Sequence, residues 1–203
     1  MEFYFAILLF AFTATITPGP NNVMIMTSGV NYGVRRSLPH FFGICVGFPV
    51  MVVLVGLGIG TVFERFPVVH EVIKIVGVAY LLYLSWRIAT SSPVSLEGAE
   101  GRPLTFWQAV LFQWVNPKAW VMVTGAVAAF TSVSDGIYVQ VLLITSAFAL
   151  VAFPCVAMWM TFGLGLKKLL KDPSHQRVFN VAMAVLLVSS IAPVINELYQ
   201  TYI

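Results

Sequence analysis

Long apolar runs alternate with short polar segments along the whole chain. A helix needs about 20 apolar residues to cross the hydrocarbon core of a bilayer, and six of the runs reach that length. The pattern therefore predicts an all-α integral membrane protein with six transmembrane helices. The predicted spans cover about residues 3–28, 38–62, 68–89, 104–132, 137–166 and 178–198.

The first span is interrupted near its middle by residues 17–22, Thr-Pro-Gly-Pro-Asn-Asn. A proline lacks a backbone N–H, so Pro18 frees the carbonyl of Ala14 and Pro20 frees that of Ile16. An unpaired carbonyl in hydrocarbon costs several kcal/mol. Broken backbone at membrane depth is therefore tolerated only where protein or a water-filled cavity covers it. We expect this segment to form one wall of a substrate site.

The fourth span carries a second interruption at a matching position, in the segment Gln-Trp-Val-Asn-Pro-Lys-Ala-Trp at residues 113–120. Asn116 is a good helix N-cap, and proline suits the first helical position that Pro117 would occupy. Thr17-Pro18 or Gly19-Pro20 gives the same signal in the first span. Each interruption is thus predicted to start a new half-helix, although a proline kink without function is the simpler alternative.

The two interruptions suggest an internal repeat. A polar segment at residues 91–103 separates three predicted spans from three others, so two repeated halves would have opposite topology. Interrupted helices in corresponding positions of two such halves point to a transporter's binding site near the bilayer midplane. We predict one transmembrane transporter domain over residues 1–203, with half-repeats at about 1–90 and 104–203.

The chemistry at the two interruptions favours a small zwitterionic ligand. Helix starts carry partial positive charge and free N–H groups, and Lys118 is the only ionisable residue deep in a span. Lys118 has three possible roles: to bind a substrate carboxylate, to pair with freed backbone carbonyls, or to release a proton. The predicted substrate-binding residues are Thr17, Pro18, Gly19, Pro20, Asn21, Asn22, Gln113, Asn116, Pro117 and Lys118.

Composition agrees with a membrane protein and argues against several other classes. Hydrophobic residues make up 59% of the chain and charged residues 9%, whereas a soluble domain is about one quarter charged. The net charge of +3 does not require nucleic acid, because the basic residues lie in short loops. Cys45 and Cys155 lie in apolar spans and are expected to be small core residues. Gly43 and Gly47, four residues apart, are expected to let helices approach closely.

The distribution of basic residues predicts the orientation. Cytoplasmic loops carry an excess of lysine and arginine. Residues on one predicted side are Arg35, Arg36, Arg87, Arg102, Lys167, Lys168, Lys171 and Arg177, against only Arg65 and Lys74 on the other. Both termini are therefore predicted to be periplasmic in a multi-pass inner-membrane protein. The N-terminus lacks the basic segment and cleavage site of a signal peptide.

Three motifs resemble those of the LysE/RhtB family of bacterial amino-acid exporters. They are Thr-Pro-Gly-Pro-Asn-Asn at 17–22, Gly-Val-Ala-Tyr-Leu-Leu-Tyr-Leu at 77–84 and Asn-Pro-Lys-Ala at 116–119. Residues 86–91, 106–107 and 113–116 are most similar to the cysteine/O-acetylserine exporter subgroup. The resemblance covers essentially the whole chain and implies efflux of an amino acid or close derivative, driven by the proton gradient. Unlike some members, this chain has Phe48-Pro49 after Gly47, with no acidic residue inside a span.

Two other functions are weighed against amino-acid export. An exporter of metal or inorganic ions would need carboxylates, histidines or paired thiols within the spans, and only the two cysteines are candidates. An intramembrane enzyme would need a catalytic motif or paired deep carboxylates, which the chain lacks. We therefore expect no enzymatic activity, no cofactor and no metal site. The expected partners are an amino acid, the lipid bilayer and possible further copies of the chain, but no nucleic acid.

Overall fold

The computed structural model describes residues 2–59, 66–90, 102–131, 136–169 and 172–202. Within these ranges all regular structure is helical. A short π-helical segment covers Val55–Ile59. The α-helices are α1 Glu2–Ile16, α2 Pro20–Leu54, α3 Pro67–Ala89, α4 Phe106–Val115, α5 Pro117–Phe130, α6 Ile137–Leu169 and α7 Pro173–Tyr202.

Helix α2 is bent where the sequence predicted a turn between the first two spans. The helical assignment continues through residues 31–36, but Gly33 has φ 74° and ψ 173°. This left-handed φ is strained for a residue with a Cβ, so the glycine lets two helices meet at a single residue. The short polar turn that the sequence predicted at residues 31–36 therefore coincides with this bend, but the only non-helical residue in it is Gly33.

Apolar surface and helix length support a membrane location. Three described helical stretches are long and apolar enough to cross a bilayer: Pro20–Gly58, Glu71–Ala89 and Ile137–Leu166. Shorter apolar helices cover Glu2–Ile16, Pro117–Phe130 and Arg177–Ser189. Large apolar side chains such as Phe5, Val121 and Leu142 are more than 60% exposed. Such exposure is expected where lipid is the solvent, whereas soluble proteins rarely expose wide apolar patches.

The predicted spans map unevenly onto these helices. The first and fourth spans each correspond to two helices rather than one, and the other spans match single helical stretches. The six-span inverted repeat itself remains a prediction. The linker is described only at residues 102 and 103, and the loop at 132–135 and residues 170–171 of the basic cluster lie outside the described residues.

Three apolar cores hold the helices together. The smallest lies between α2, α4 and α6 and includes Ile44 and Val156, and the other two each join four helices. One joins α1, α2 beyond Gly33, α5 and α6, with Met51, Val123 and Phe148 among its fully buried side chains. The other joins the start of α2 to α3, α4 and α7, and includes Leu81 and Leu187. Helix α2 contributes buried side chains to every one of these cores and therefore links them.

Glycines mark the closest helix contacts. A Cβ added to Gly43 would lie 2.5 Å from the carbonyl oxygen of Phe106, and one on Gly47 would lie 2.8 Å from the Cα of Val110. These two glycines thus face α4. In the same way, Gly163 of α6 lies against the backbone carbonyl of Met26 in α2.

Candidate functional site

Both interruptions predicted from the sequence coincide with helix ends. Helix α1 ends at Ile16 and α2 begins at Pro20, with Gly19 fully extended between them at φ −179° and ψ 179°. Of the two registers that the sequence allowed, Gly19-Pro20 is the one that starts the helix. Gly19 offers no side-chain cap, which leaves the first N–H groups of α2 without one.

The second interruption has the predicted cap. Helix α4 ends at Val115, and α5 begins at Pro117. The side-chain oxygen of Asn116 accepts a hydrogen bond of 3.1 Å from the backbone N–H of Lys118. The prediction of an Asn116 N-cap followed by proline at the first helical position is therefore confirmed.

Side chains satisfy both carbonyls that the prolines deprive of a helical partner. The hydroxyl of Thr17 donates to the Ala14 carbonyl at 2.9 Å. The indole N–H of Trp159, from α6, donates to the Ile16 carbonyl at 3.1 Å. The break is thus covered by its own chain and by a distant helix, as broken backbone in a membrane requires.

Lys118 connects the second break to the first. Its ammonium donates to the Thr17 carbonyl at 2.6 Å, the Thr17 hydroxyl at 2.8 Å and the Pro18 carbonyl at 3.3 Å. The Asn22 amide donates at 2.8 Å to the carbonyls of Thr15 and Thr17. An ammonium has three N–H donors, so every donor of Lys118 has an acceptor. Of the three roles left open for this lysine, this structure displays pairing with backbone carbonyls.

A second interaction joins α2 to α4. The side-chain amides of Asn21 and Gln113 exchange hydrogen bonds of 2.8 and 3.3 Å, and Gln113 also donates to the Ala109 carbonyl at 2.9 Å. Gln113 is completely buried. Because a buried amide without partners is costly, this reciprocal pair fixes the relative position of the two helices beside the break.

A small cavity lies within the cluster. Its volume is about 40 Å³, and it is lined by five of the predicted site residues: Gly19, Asn21, Asn22, Asn116 and Lys118. A water molecule needs roughly 10–15 Å³ by this measure, so the cavity has room for only a few waters. An amino acid would require the cluster to open.

The remaining predicted site residues surround this cavity. Thr17 and Pro18 contact Lys118 through their carbonyls, Gln113 bonds to Asn21, and Pro20 and Pro117 begin the two helices. The structure thus brings all ten predicted residues into one region, although they come from two distant parts of the chain. Their role in binding substrate remains a prediction.

One buried polar group was not singled out from the sequence. His40 is 1% exposed; its Nδ1 lies 3.0 Å from the Ser28 hydroxyl, and its Nε2 has no hydrogen-bond partner. The predicted second span, at about residues 38–62, has His40 close to its beginning. His40 precedes Gly43 by three residues and Gly47 by seven, so the three residues lie on one face of a helix. Because that face was expected to pack closely against another helix, this spacing could have indicated that His40 is buried.

His40 also lines a second, larger cavity. This cavity has a volume of about 440 Å³ and lies between α2, α3 and the segment leading into α4. Arg87 and Arg102 contribute to its wall, as do Tyr80 and Tyr83. Both tyrosines belong to the motif at residues 77–84.

Neither cysteine nor any other metal-binding group forms a cluster in the described parts of the chain. Cys45 and Cys155 are both buried and free, as expected for small core residues. Within the described residues, no three histidine, cysteine, aspartate or glutamate side chains lie together in a group that could hold a metal ion.

Apolar membrane-length helices around a buried polar cluster define a class, that of polytopic membrane proteins with an internal polar site. Within that class, the chain belongs to the LysE type translocator family, whose sequence profile matches residues 12–191. The resemblance identified from the motifs is therefore confirmed.

Curated relatives include members of two export groups. A homoserine/homoserine lactone efflux protein of Salmonella typhimurium (strain LT2) is 27% identical over 189 residues, 91% of this chain and 92% of the relative. A cysteine/O-acetylserine efflux protein of Escherichia coli (strain K12) is 28% identical over 174 residues, 85% of this chain and 87% of the relative. These identities do not separate the two groups. No solved structure matches the chain.

Proposed function

We propose that the protein exports small amino acids or close derivatives across the bacterial inner membrane. The observation that carries this proposal is the cluster in which Lys118, at the start of α5, is bonded to the end of α1 beside a cavity. Two interrupted helices meeting at one polar site are typical of secondary transporters. The relatives' names provide the substrate class: homoserine and its lactone, or cysteine and O-acetylserine.

The cluster has the groups needed to bind a zwitterion. The starts of α2 and α5 present backbone N–H groups and partial positive charge to a carboxylate, and the Lys118 ammonium adds a full charge. The side chains of Asn21, Asn22 and Gln113 offer acceptors for an α-ammonium group. A bound carboxylate would replace the Thr17 and Pro18 carbonyls as the partner of Lys118, which would loosen the contact between the two breaks.

Helix contacts support the proposal of two equivalent halves. Helix α1 of the first half packs against α6 of the second half. Helix α4 of the second half packs against the part of α2 beyond Gly33, which belongs to the first half. The last helix of each half, α3 and α7, packs against the other. If the two halves are exchanged, the α1–α6 contact takes the place of the contact between α4 and α2. The contact between α3 and α7 is unchanged by the exchange. Such a pairing suits alternating access, in which one half moves relative to the other around a central site.

Proton antiport would require a titratable group inside the bundle. No predicted span has an acidic residue in its interior, so the candidates are Lys118 in the cluster and His40 beside Ser28. Histidine changes charge near physiological pH, and a lysine taken out of water can release its proton. We propose that the proton gradient drives export through one of these two groups.

Uptake into inverted membrane vesicles tests this function. Vesicles containing the protein are expected to accumulate radiolabelled O-acetyl-L-serine, L-cysteine or L-homoserine above vesicles without it. An acidic lumen should raise this accumulation, and nigericin, which collapses the pH gradient, should abolish the rise. Failure to accumulate any of the three amino acids would refute the proposed function, while accumulation insensitive to the gradient would refute only proton coupling.

Two variants make this assay specific for the cluster. Asn22→Leu removes the amide that bonds the Thr15 and Thr17 carbonyls and is expected to abolish uptake. Thr161→Val is the matched control, because the Thr161 hydroxyl is exposed and bonds only within its own helix, to the carbonyls of Ala157 and Met158. Uptake by this variant should equal that of the unmodified protein.

A further inference from the structure

The second cavity has the size and composition of a ligand site. Its volume of about 440 Å³ lies within the range of small-molecule pockets, roughly 300–1,000 Å³. Its lining is mostly polar and includes Ser28, Tyr32 and Gln108, with a few apolar side chains such as Met24 and Leu84. It could therefore hold a whole amino acid, unlike the cavity beside Lys118.

Two guanidinium groups give this cavity a positive charge. Arg87 comes from the end of α3, and Arg102 from the segment before α4. Arg87 donates to the Tyr83 hydroxyl at 3.1 Å, and none of the described lining residues carries a carboxylate. Arginine pairs with carboxylates through two parallel charge-assisted hydrogen bonds. The cavity is thus suited to an anionic group on a small molecule.

The buried wall of the cavity offers a further polar contact. His40 is 1% exposed and lines the cavity, and its Nε2 has no hydrogen-bond partner while Nδ1 bonds to Ser28. A buried polar atom without a partner is unfavourable. Nε2 itself has no exposed surface, so an ammonium or hydroxyl group of a ligand would reach it only after a side-chain rearrangement in this wall of the cavity.

The cavity is also placed next to the Lys118 cluster. Along α2, residues 19–22 contribute to the first cavity, and residues 24–31 contribute to the second. Asn21, whose amide pairs with Gln113, belongs to the first set, and neither member of this pair lines the second cavity. The two cavities thus follow one another along the start of α2, so a molecule in the second cavity would lie next to the Lys118 cluster.

We propose that this cavity is a second amino-acid site, in which Arg87 and Arg102 bind the substrate carboxylate before transfer to the Lys118 cluster. The inference rests on the proposed function for the identity of the ligand, but it concerns binding and can be tested without transport. The basic residues of this end of the bundle place the cavity on the predicted cytoplasmic side, where an exported substrate is collected.

Equilibrium binding of radiolabelled L-homoserine to the purified full-length protein in lipid nanodiscs provides the test. Arg87→Gln and Arg102→Gln should each weaken binding by about tenfold or more, as expected for loss of a hydrogen bond to a charged group. Arg87→Lys keeps the charge and should weaken binding less than Arg87→Gln. Arg35→Gln is the matched control, since Arg35 is exposed and does not line the cavity.

Homoserine lactone, which has no carboxylate, separates carboxylate binding from a structural effect. Its competition against labelled homoserine is measured on the same proteins, and its affinity should change little in the glutamine variants. Equal weakening for homoserine and its lactone would overturn the proposal, as would unchanged homoserine binding in both glutamine variants or no binding by the unmodified protein. Arginine-dependent binding without vesicle uptake would instead support this site and refute the export function.

Discussion

Replacing Lys118 with methionine removes the charge that links the two helix breaks and keeps most of the side-chain bulk. The variant loses all three hydrogen bonds from the ammonium to Thr17 and Pro18. The Thr17 carbonyl would retain the Asn22 amide, and the Thr17 hydroxyl would still donate to Ala14. The Pro18 carbonyl would lose the only donor described for it.

These contacts set the expected size of the effect. A hydrogen bond to a charged group contributes about 1.5–3 kcal/mol, and a cation near a helix C-terminus adds roughly 0.3–1 kcal/mol. Two of the three acceptors keep another hydrogen bond and the lysine is partly exposed, so we expect a loss of about 2 kcal/mol in the free energy of unfolding. For a chain of this size that corresponds to a fall in melting temperature of about 4–8 °C.

Thermal unfolding in detergent and uptake into inverted vesicles measure the two consequences of Lys118→Met. The variant should reach the membrane and unfold at lower temperature, but accumulate no amino acid. Arg36→Met, which removes a charge from an exposed position, should leave both properties unchanged. Normal uptake by Lys118→Met would refute a role for the lysine. Uptake by Lys118→Arg but not Lys118→Met would indicate a fixed charge, because arginine does not release its proton.

Three further predictions concern the break, the helix contacts and the orientation. Replacing residues 18–20 with alanine should allow α1 and α2 to join into one helix, since alanine is the best helix former. The variant should be expressed but should lose uptake. Normal uptake by this variant would show that the break is only a kink. Gly163→Val should lower the melting temperature, because overpacking costs about 1–3 kcal/mol. Gly165→Val should not lower it, since a Cβ at Gly165 would meet open space. Equal effects of the two substitutions would contradict the close contact between Gly163 and α2. Reporter fusions should place the C-terminus in the periplasm and residue 171 in the cytoplasm, and the reverse pattern would overturn the orientation.

The breaks were predictable because their cause is local. Proline removes a helical hydrogen bond wherever it occurs, and asparagine before proline is a strong helix start. The donors that satisfy the freed carbonyls were not predictable in the same way. Trp159 and Lys118 reach α1 from 143 and 101 residues away, and nothing in their local sequence specifies that contact.

The second cavity was missed for a different reason. Arg87 and Arg102 were assigned only to the loop charges that set orientation, because their sequence positions flank the polar linker. Similarly, Ser28 and His40 belong to different predicted spans, at about 3–28 and 38–62, but the bend at Gly33 brings the Ser28 hydroxyl and His40 Nδ1 to 3.0 Å from each other. A single left-handed glycine and a contact between distant helices decide this part of the structure.

Substrate protection of a cysteine inside the first cavity tests the central claim most directly. Met122 lines the cavity and lies in α5, so Met122→Cys, with Cys45 and Cys155 replaced by alanine, should react with a water-soluble maleimide when the cluster opens. The transported amino acid should slow labelling at position 122 over the concentration range that saturates uptake. Gly136→Cys, at an exposed position just before α6, should react at the same rate with and without substrate. Unchanged labelling at position 122 in saturating substrate would show that transport uses another site.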